Sequence, residues 1–574
     1  MNIALSSRSS RWGLLLAFCC LAAASPVRAG GIAADLTAQI QSQPLSLQSR
    51  RVIVQYQHPG APSSLLALLN GAQLIRELPH LNGAVMSLAQ ISIPGLALDP
   101  SVKWISPDRT IKSQGDFDVE AAGADIVWNT YGRRGTGVRV AVLDTGIRGS
   151  TAEWSTSGTS RVAAWNDLVN FQPAPYDDNG HGTHVAGIVL GAGSASAGQI
   201  SGTAPAADLV GVKVLAQDGS GLTSTVIAGI DWCIANKVTH NIRVINLSLG
   251  QKPVESSTTD PLCAAVRRAV DAGIVVVCSA GNKGKNSSSQ TVWGGIGSPG
   301  IEPSAITVGA LNTQDTATRA DDTVCTYSSR GPTYADQWVK PDLLAPGNGI
   351  VSVRAPGSRI DNTYPLTRVD WDPSTAETID YTKLSGTSMA APQVAGVIAL
   401  MLEAAPSMDP NTIKGVLMYT AEHLPLGLSS GLDLLTQGAG ALNAPGAVDL
   451  AGRLNHSAAI GSAWLTSGFS GQSTVGSVTF PWYASIPWST NVYTGTDLFT
   501  YRQQAWSTEV RWGQPSTWYP SAVYSANGVA ADMGTWSNQA AWNDSGIWGN
   551  QMSWGGDDEM VTGEPTTPAL GGGG

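Results

Sequence analysis

Apolar segments of strand length recur along the middle of the chain. Five of them are rich in Val and Ile and do not alternate with polar residues, a pattern typical of strands buried on both faces. These segments are "VRVAVL", "DLVGVKVL", "RVINLSL", "GIVVVCS" and "AITVGA". Patterns with helical spacing lie between or after them, the clearest being "STVIAGIDWCIANK", "PLCAAVRRAVDAG" and "SMAAPQVAGVIALMLEAA". This alternation predicts an α/β fold in which helices flank a parallel twisted sheet.

A smaller set of elements is predicted before this region. The segments "RVIVQY", "GAVMSLAQ" and "VKWISPD" have the pattern of strands, and "SSLLALLNGAQLI" that of a short helix leading towards a further strand. Together they predict a small ferredoxin-like α+β unit of βαββαβ order. The polar stretch that follows, "RTIKSQGDFDVEAAGAD", has the composition of a linker.

A tryptophan pattern marks the last part of the chain. The gaps between these tryptophans are all multiples of six: Trp464, Trp482, Trp488, Trp506, Trp512, Trp518, Trp536, Trp542, Trp548 and Trp554. On an extended strand an even period places every side chain on the same face. Two interpretations stay open: a hydrophobic stripe that packs on itself or on the core, or rings that stack on sugars or cations at a cell surface.

The first residues have the features of an export signal. Arg8 and Arg11 precede the apolar stretch "WGLLLAFCCLAAA", and "VRA" offers a cleavage point after Ala29. No later segment reaches the about 18 unbroken apolar residues of a membrane-spanning helix. We therefore expect a secreted protein, extracellular, periplasmic or at the cell surface.

The patterns together divide the chain into four regions. The signal peptide covers 1–29, the small α+β unit 30–114, the α/β region 115–454 and the Trp-rich repeat tail 455–574. The tail ends in "PALGGGG", a composition that predicts flexibility and partial disorder.

Composition and cysteine content narrow the function classes. Charged residues make up 13% of the chain and the net charge is −10, so no basic face for nucleic acid is expected. Four cysteines follow the predicted signal: Cys233, Cys263, Cys278 and Cys325. Export would allow disulfides, in three full pairings, but buried free thiols fit equally well. The chain has no C-x-x-C spacing, and we predict no metal site of that kind.

The segment "AVLDTGI" places Asp144 at the end of a predicted buried strand. An Asp-Thr-Gly can belong to an aspartic-protease dyad or to the orienting carboxylate of a serine-protease triad. The dyad needs a second such tripeptide, and the candidate "DSG" at 544–546 lies inside the Trp-rich tail. Asp144 also lies in the predicted α/β region, whereas aspartic proteases consist almost wholly of strands. We therefore favour the triad.

Two further segments complete a triad. "NGHGTHVAGIV" places His181 among small residues at the start of a predicted helix, and "LSGTSMAAPQVAG" places Ser388 at the start of another. Serine is a poor nucleophile without an adjacent base, and histidine, with an ordinary pKa near 6.5, can serve as that base. A helix N-terminus adds a positive field and backbone N–H groups for a developing oxyanion. The order Asp, His, Ser is one of three known for this geometry.

These three segments resemble the signature blocks of the subtilisin-like serine proteases, the subtilases, over about residues 137–451. The resemblance implies a serine endopeptidase in which Asp144 orients, His181 is the general base and Ser388 the nucleophile. It also implies that Asn282, in "VVVCSAGN", donates its side-chain amide to the oxyanion. A catalytically inactive binding protein on the same scaffold is the alternative from another class.

The resemblance also implies where protein or peptide substrates bind. An extended substrate would pair with strand edges, the mode called β-augmentation. The residues implied are Ser248, Leu249, Gly250, Ala280, Gly281, Asp218 and Gly219. These walls are small or apolar, so we expect broad specificity with an apolar preference.

Two further expectations follow from the same resemblance. Residues 30–114 are implied to be a propeptide, a folding aid and intramolecular inhibitor removed by self-cleavage between about Arg109 and Ala124. No cofactor is required; calcium is conceivable, but the loop "LGAGSASAGQISG" lacks the Asn and Asp ligands that many subtilases use there. The acidic pairs at 177–178 and 321–322 could bind a weak ion, but we expect them to be solvated loops.

Overall fold

The computed structural model describes residues 30–59, 71–108, 110–113, 119–369, 380–488, 491–507, 510–511, 523–525 and 564. The chain divides into two compact units, Met1–Pro107 and Asp108–Gly574. The predicted signal peptide lies outside the described residues.

The smaller unit contains a five-stranded sheet with the order β1-β5-β2-β4-β3. Its elements are β1 Gly31–Ile32, α1 Ala34–Ser42, β2 Ser49–Tyr56, β3 Gln73–Leu78, β4 Gly83–Ala89, α2 Ile93–Ala97 and β5 Val102–Pro107. The four longer strands are antiparallel to one another, whereas β1 pairs in parallel with β5. The order of the four longer strands is that of a split βαββαβ unit. Most of the helix predicted at 63–75 lies outside the described residues, and its last residues belong to β3.

The larger unit contains the remaining elements. Its strands are β6 Thr110–Ser113, β7 Arg139–Asp144, β8 Ser155–Thr156, β9 Thr159–Ser160, β10 Val162–Asp167, β11 Asp208–Lys213, β12 Ser220–Leu222, β13 Ile242–Leu247, β14 Leu249–Gly250, β15 Val275–Ser279, β16 Ile306–Asn312, β17 Thr323–Val324, β18 Leu343–Pro346, β19 Ile350–Val353, β20 Arg368–Val369, β21 Tyr381–Leu384, β22 Gln472–Val475, β23 Val478–Pro481, β24 Ser485–Trp488, β25 Asn491–Thr494 and β26 Val523–Ser525. Its α-helices are α3 Ala124–Ile126, α4 His181–Leu190, α5 Thr223–Ala235, α6 Pro261–Asp271, α7 Arg359–Thr363, α8 Thr387–Ala404, α9 Pro410–Thr420, α10 Ser430–Gln437 and α11 Ala444–Gly452.

The main sheet of the larger unit has the order β10-β11-β7-β13-β15-β16-β17, and β18 also pairs with β16. All these neighbours are parallel except β16 and β17. The five predicted strand segments form β7, β11, β13, β15 and β16, which confirms the predicted α/β class. The sequence did not indicate β10, a half-buried edge strand, or the four-residue β18, because neither has a long apolar run.

Helix α8 runs through the core of the larger unit. Every residue from Thr387 to Leu402 is buried. This is the one described helix long and apolar enough to cross a membrane, and 89% of that stretch is buried inside the protein. A helix that is apolar all round and enclosed on all sides is a core helix, and its first turn carries the predicted nucleophile.

Residues 455–511 continue the larger unit. Trp464, Trp482, Trp488 and Trp506 are buried and belong to its main hydrophobic cluster. They lie on different short elements, so the expected common face of one extended strand is wrong for these four. Trp506 packs so closely on α9 that a Cβ at Gly415 would lie 2.2 Å from its ring. The other six positions of the register lie outside the described residues.

The four cysteines that follow the predicted signal are all buried, and none is bonded to another. Burial raises the pKa of each thiol. Of the two states that the sequence left open, the structure has free thiols.

Candidate active site

Asp144 lies at the carboxyl end of β7, between β11 and β13 in the middle of the main sheet. Its side chain is fully buried. A buried carboxylate needs hydrogen-bond donors, and Oδ1 accepts the N–H of Thr145 at 2.7 Å. Ligand sites of parallel sheets lie beyond the carboxyl ends of the strands, so this position is typical of a functional residue.

His181 is the first residue of α4 and is fully buried. The start of this helix lies close to the loop that follows Asp144. A Cβ at Gly182 would lie 2.2 Å from the carbonyl oxygen of Gly146 and 3.0 Å from the Cβ of Asp144. Only glycine fits this approach, which gives a physical reason for the small residue after His181.

The imidazole of His181 is bonded to Asp144. The distance from Nδ1 of His181 to Oδ1 of Asp144 is 2.8 Å. Because a carboxylate accepts, Nδ1 carries the hydrogen, and Nε2 is the nitrogen that can take a proton. This is the tautomer that a general base in a triad requires.

The second histidine of the motif has a different environment. The Nε2–H of His184 donates to the carbonyl oxygen of Thr382 at 3.2 Å, inside the core. Burial, with a smaller contribution from neighbouring His181, lowers the pKa of His184 to about 3. His184 is therefore neutral at physiological pH, and its role is to hydrogen-bond inside the core.

A second carboxylate, Asp177, ties the loop after Asp144 to the helix that carries His181. It accepts the hydroxyl of Thr145 at 2.9 Å, and the N–H and hydroxyl of Thr183 at 2.8 and 2.7 Å. Its Oδ1 also accepts two backbone N–H groups of the turn that precedes the helix. The expectation of a solvated loop is wrong for Asp177, because sequence spacing did not show that Thr145 lies beside this turn.

Lys213 places a positive charge beside the loop that follows Asp144. Its buried ammonium donates to Oδ1 of Asp178 at 2.7 Å and to the carbonyl oxygen of Thr145 at 2.5 Å. Lys213 ends β11, so the neighbouring strand also fixes the loop that follows Asp144.

Ser388 is the second residue of α8 and is buried. Helix α8 packs against α4, the helix of His181. The hydroxyl of Ser248 donates to the carbonyl oxygen of Ser388 at 2.5 Å, and it accepts from the side-chain amide of Asn246 at 2.9 Å. The first turn of α8 is thus held by the segment after β13.

Asn282 lies beside the same turn. Its Oδ1 accepts the N–H and the hydroxyl of Thr387 at 3.0 and 2.9 Å. The Thr387 hydroxyl in turn accepts the N–H of Gly281 at 3.0 Å. Since the amide oxygen is occupied, the NH2 group of Asn282 is the side that can donate to a substrate.

The sequence pattern of the family described as the Subtilase family matches residues 135–447, more than half of the chain. The chain belongs to the subtilase family. Subtilases are serine endopeptidases, so this chain is a hydrolase of peptide bonds.

Named relatives agree with this assignment. Serine protease AprX of Bacillus subtilis (strain 168) is 40% identical over 355 residues, 61% of this chain and 74% of that protein. Subtilisin E of the same strain is 32% identical over 358 residues, 62% and 79% of the two chains.

A solved structure gives the fold alone. Fervidolysin from Fervidobacterium pennivorans, described as a keratinolytic enzyme related to subtilisin, matches with a TM-score of 0.54 at 23% identity. The match covers 71% of this chain and 62% of fervidolysin, so this subtilase spans less than two thirds of that structure.

The predicted substrate edges of this subtilase have an extended chain paired to them. Strand β6 is the middle strand of a small antiparallel sheet, between β12 and β14. Lys112 lies opposite both Ser220 and Gly250, and Ser113 lies opposite Leu249. The segment therefore occupies the edge at Leu249 and Gly250, which the sequence assigned to substrate, and the strand that follows the assigned turn at Asp218 and Gly219.

Four other predicted substrate residues lie next to these edges and are not paired with β6. Asp218 and Gly219 form the turn before β12, where the Asp218 carboxylate accepts the N–H of Ser220 at 2.9 Å. Ala280 and Gly281 follow β15, and Ala280 is buried in a small apolar cluster.

The loop at 191–202 is held by a buried carboxylate that is already hydrogen-bonded. The buried carboxylate of Glu153 accepts the N–H groups of Gly193 and Ala195 at 2.7 and 3.1 Å and the Tyr381 hydroxyl at 2.7 Å. Calcium needs a shell of oxygen ligands, whereas these donors point their hydrogens at the carboxylate. Within the described ranges, no three His, Cys, Asp or Glu residues are grouped to hold a metal.

Proposed function

We propose that this subtilase cleaves internal peptide bonds by acyl transfer through Ser388, with His181 as general base and Asp144 as the orienting carboxylate. The observation that carries the proposal is the buried bond between Nδ1 of His181 and Asp144. It leaves Nε2 as the proton acceptor on a helix that packs against the helix of Ser388.

The chemistry follows from these positions. The Ser388 oxygen attacks the substrate carbonyl carbon while its proton passes to Nε2 of His181. The NH2 group of Asn282 donates to the resulting oxyanion, an interaction whose loss costs about 3–4 kcal/mol of transition-state stabilisation in subtilisin. Collapse of the intermediate breaks the C–N bond, and the amine leaves with the proton from His181. Water then repeats both steps on the acyl-enzyme.

The deciding experiment is the Ser388→Ala variant with casein as substrate. We expect turnover to disappear and a serine-directed fluorophosphonate to label the parent at Ser388 and not the variant. An inhibitor of aspartic proteases should have no effect. Cleavage by the variant at the parental rate would refute the mechanism, and a parent that is neither labelled nor active would favour the inactive binding protein.

We propose that substrates bind as an extended strand between β12 and β14, as β6 does. Main-chain hydrogen bonds then supply affinity independently of sequence. The named edge residues have small or apolar side chains, Asp218 excepted, which supports broad specificity with an apolar preference. Cleavage-site profiling of denatured proteins tests it: a strict requirement for a basic residue before the cut would contradict the proposal.

Residues 30–114 are proposed to be the inhibitory propeptide. Strand β6 blocks both substrate edges, and Ser113 lies opposite Leu249, the neighbour of Ser248, whose hydroxyl reaches Ser388. Asp108 adds a second attachment, since its carboxylate accepts the N–H and hydroxyl of Ser224 at 2.7 and 2.6 Å at the start of α5. The bond cut by self-cleavage then lies just after Ser113.

The full chain with Ser388→Ala should accumulate as an uncut precursor, while the parent should yield a mature N-terminus near residue 115. Mass analysis of both purified proteins measures this. The Asp108→Ala variant should release its N-terminal segment earlier, because α5 loses a buried cap. Normal processing of Ser388→Ala in the absence of other proteases would rule out self-cleavage.

We further propose that the enzyme is secreted through the segment 1–29 and works without a cofactor or bound calcium at the loop 191–202. The first part predicts a protein in the culture medium that lacks these residues. The proposal on calcium predicts that EDTA leaves the melting temperature unchanged; a fall in melting temperature that calcium reverses would show an ion site.

Cell-surface contact through the Trp-rich tail stays an alternative that whole-cell binding would test.

A further inference from the structure

Glu564 is the described residue of the far C-terminal segment, and its contacts are specific. Its backbone N–H donates to Oδ1 of Asn348 at 2.7 Å, and its carbonyl oxygen accepts Nδ2 of Asn348 at 3.1 Å. One side-chain amide therefore satisfies both main-chain groups of one residue. This pairing recognises the main chain of one residue and does not depend on the side chain that it carries.

The Glu564 side chain is recognised separately. Its Oε1 accepts the backbone N–H of Thr326 at 2.6 Å and also the Thr326 hydroxyl. Hydrogen bonds to an ionised acceptor are about twice as strong as neutral ones. A side chain too short to reach Thr326 would leave both of its donors to water.

The receptor is built into the core. Asn348 is 3% exposed, and its amide is held by Oδ1 of Asn312 at 3.2 Å and by the hydroxyl of Ser385 at 3.4 Å. Arg330 donates to the carbonyl oxygen of Thr326 at 3.2 Å and so fixes its peptide. Burial lowers the pKa of Arg330, and the carboxylate of Glu564 opposes that shift, so a buried positive charge faces the acidic side chain.

We propose that Thr326 and Asn348 form a docking site for a glutamate residue, and that Glu564 of the C-terminal tail is its occupant. Earlier in the same tail, Arg511 donates to the carboxylate of Asp271. The docking point also lies beside Ser385, three residues before Ser388.

Hydrogen exchange of the full chain tests the docking. All variants carry Ser388→Ala, which prevents self-digestion. We expect the amide of Thr326 to exchange at least about tenfold faster in Glu564→Ala than in the parent, because it loses its acceptor. Glu559→Ala, which removes a neighbouring acid of the same tail, is the matched control and should change nothing at Thr326.

A peptide added in trans identifies the occupant. A synthetic peptide of residues 560–568 should restore slow exchange at Thr326 in Glu564→Ala, and the same peptide with alanine in place of its glutamate should not. Equal exchange of Thr326 in parent and Glu564→Ala would overturn the proposal. Rescue by the alanine peptide would overturn the claim that glutamate is what the site recognises. Proteolytic activity enters neither readout, so failure here is distinguishable from failure of the proposed function.

Discussion

The N-termini of α4 and α8 carry His181 and Ser388, the two residues proposed to exchange a proton, yet the groups around these two helix starts differ in charge. Around His181 the partners are charged: the carboxylates of Asp144 and Asp177, with Lys213 and Asp178 behind them. Around Ser388 they are neutral. These neutral partners are the Ser248 hydroxyl, the Thr387 hydroxyl and the Asn282 amide.

This difference matches the charge that each end would meet in the proposed acyl transfer. The imidazole becomes a cation when it takes the proton, and nearby carboxylates stabilise that cation. The substrate oxygen becomes an anion beside Ser388, where a carboxylate would repel it and neutral donors stabilise it. Each helix start is thus matched to the sign of charge that forms next to it.

The largest expected effect comes from removing the charge at the base end. Asp144→Asn should lower kcat by about 10⁴-fold, because an amide at this position favours the wrong tautomer of His181. Steady-state kinetics on a peptide substrate measure the loss. A decrease of less than tenfold would mean that Asp144 has no orienting role.

The neutral end is tested by Asn282→Ala. We expect kcat to fall by about 10²–10³-fold with little change in KM, because the lost donor acts mainly on the oxyanion. Asn286→Ala, in a nearby loop of the same segment, is the control and should behave as the parent. A large rise in KM with unchanged kcat would instead assign Asn282 to ground-state binding.

The base end also contains His184, which the structure keeps uncharged. Its folded pKa is about 3, against 6.5 ordinarily. Between these values the unfolded chain binds a proton that the folded chain does not, so stability falls as pH decreases from 6.5 towards 3. The slope is at most about 1.4 kcal/mol per pH unit.

Urea unfolding of the Ser388→Ala protein at several pH values measures that slope. His184→Gln keeps a hydrogen-bond donor for Thr382. It should reduce the slope of stability against pH by up to about 1.4 kcal/mol per pH unit, the contribution of one proton. An unchanged slope in this variant would assign the acid sensitivity to other groups.

The smallest effect is expected for Asp177→Asn. Losing one negative charge near His181 should shift the acid limb of the pH–rate profile to lower pH and reduce kcat by about tenfold. Asp321→Asn, in the other acidic pair, is the matched control and should leave the profile unchanged. A lower melting temperature with an unshifted profile would reduce Asp177 to a structural role.

The main strands of the larger unit can be predicted from local sequence. The buried parallel strands follow from unbroken Val and Ile runs, and the strand-end position of Asp144 follows from them. The close approach of Gly182 to Gly146 beside His181, by contrast, was found only in the structure. The Trp pattern misled, because a period of six fits an extended strand, whereas Trp464 and Trp506 lie on separate turns packed on the core.

The sequence by itself determined the fold class, the family and the three triad candidates, because hydrophobic periodicity and contiguous motifs are local properties of the chain. Only the tertiary structure decided which residues support them. Asp177 with Thr145, Asn282 with Thr387, Glu153 with the loop at 191–202, and Glu564 with Asn348 are pairs distant in sequence, joined by hydrogen bonds. Such bonds depend on how strands and helices pack, and no spacing in the sequence encodes them.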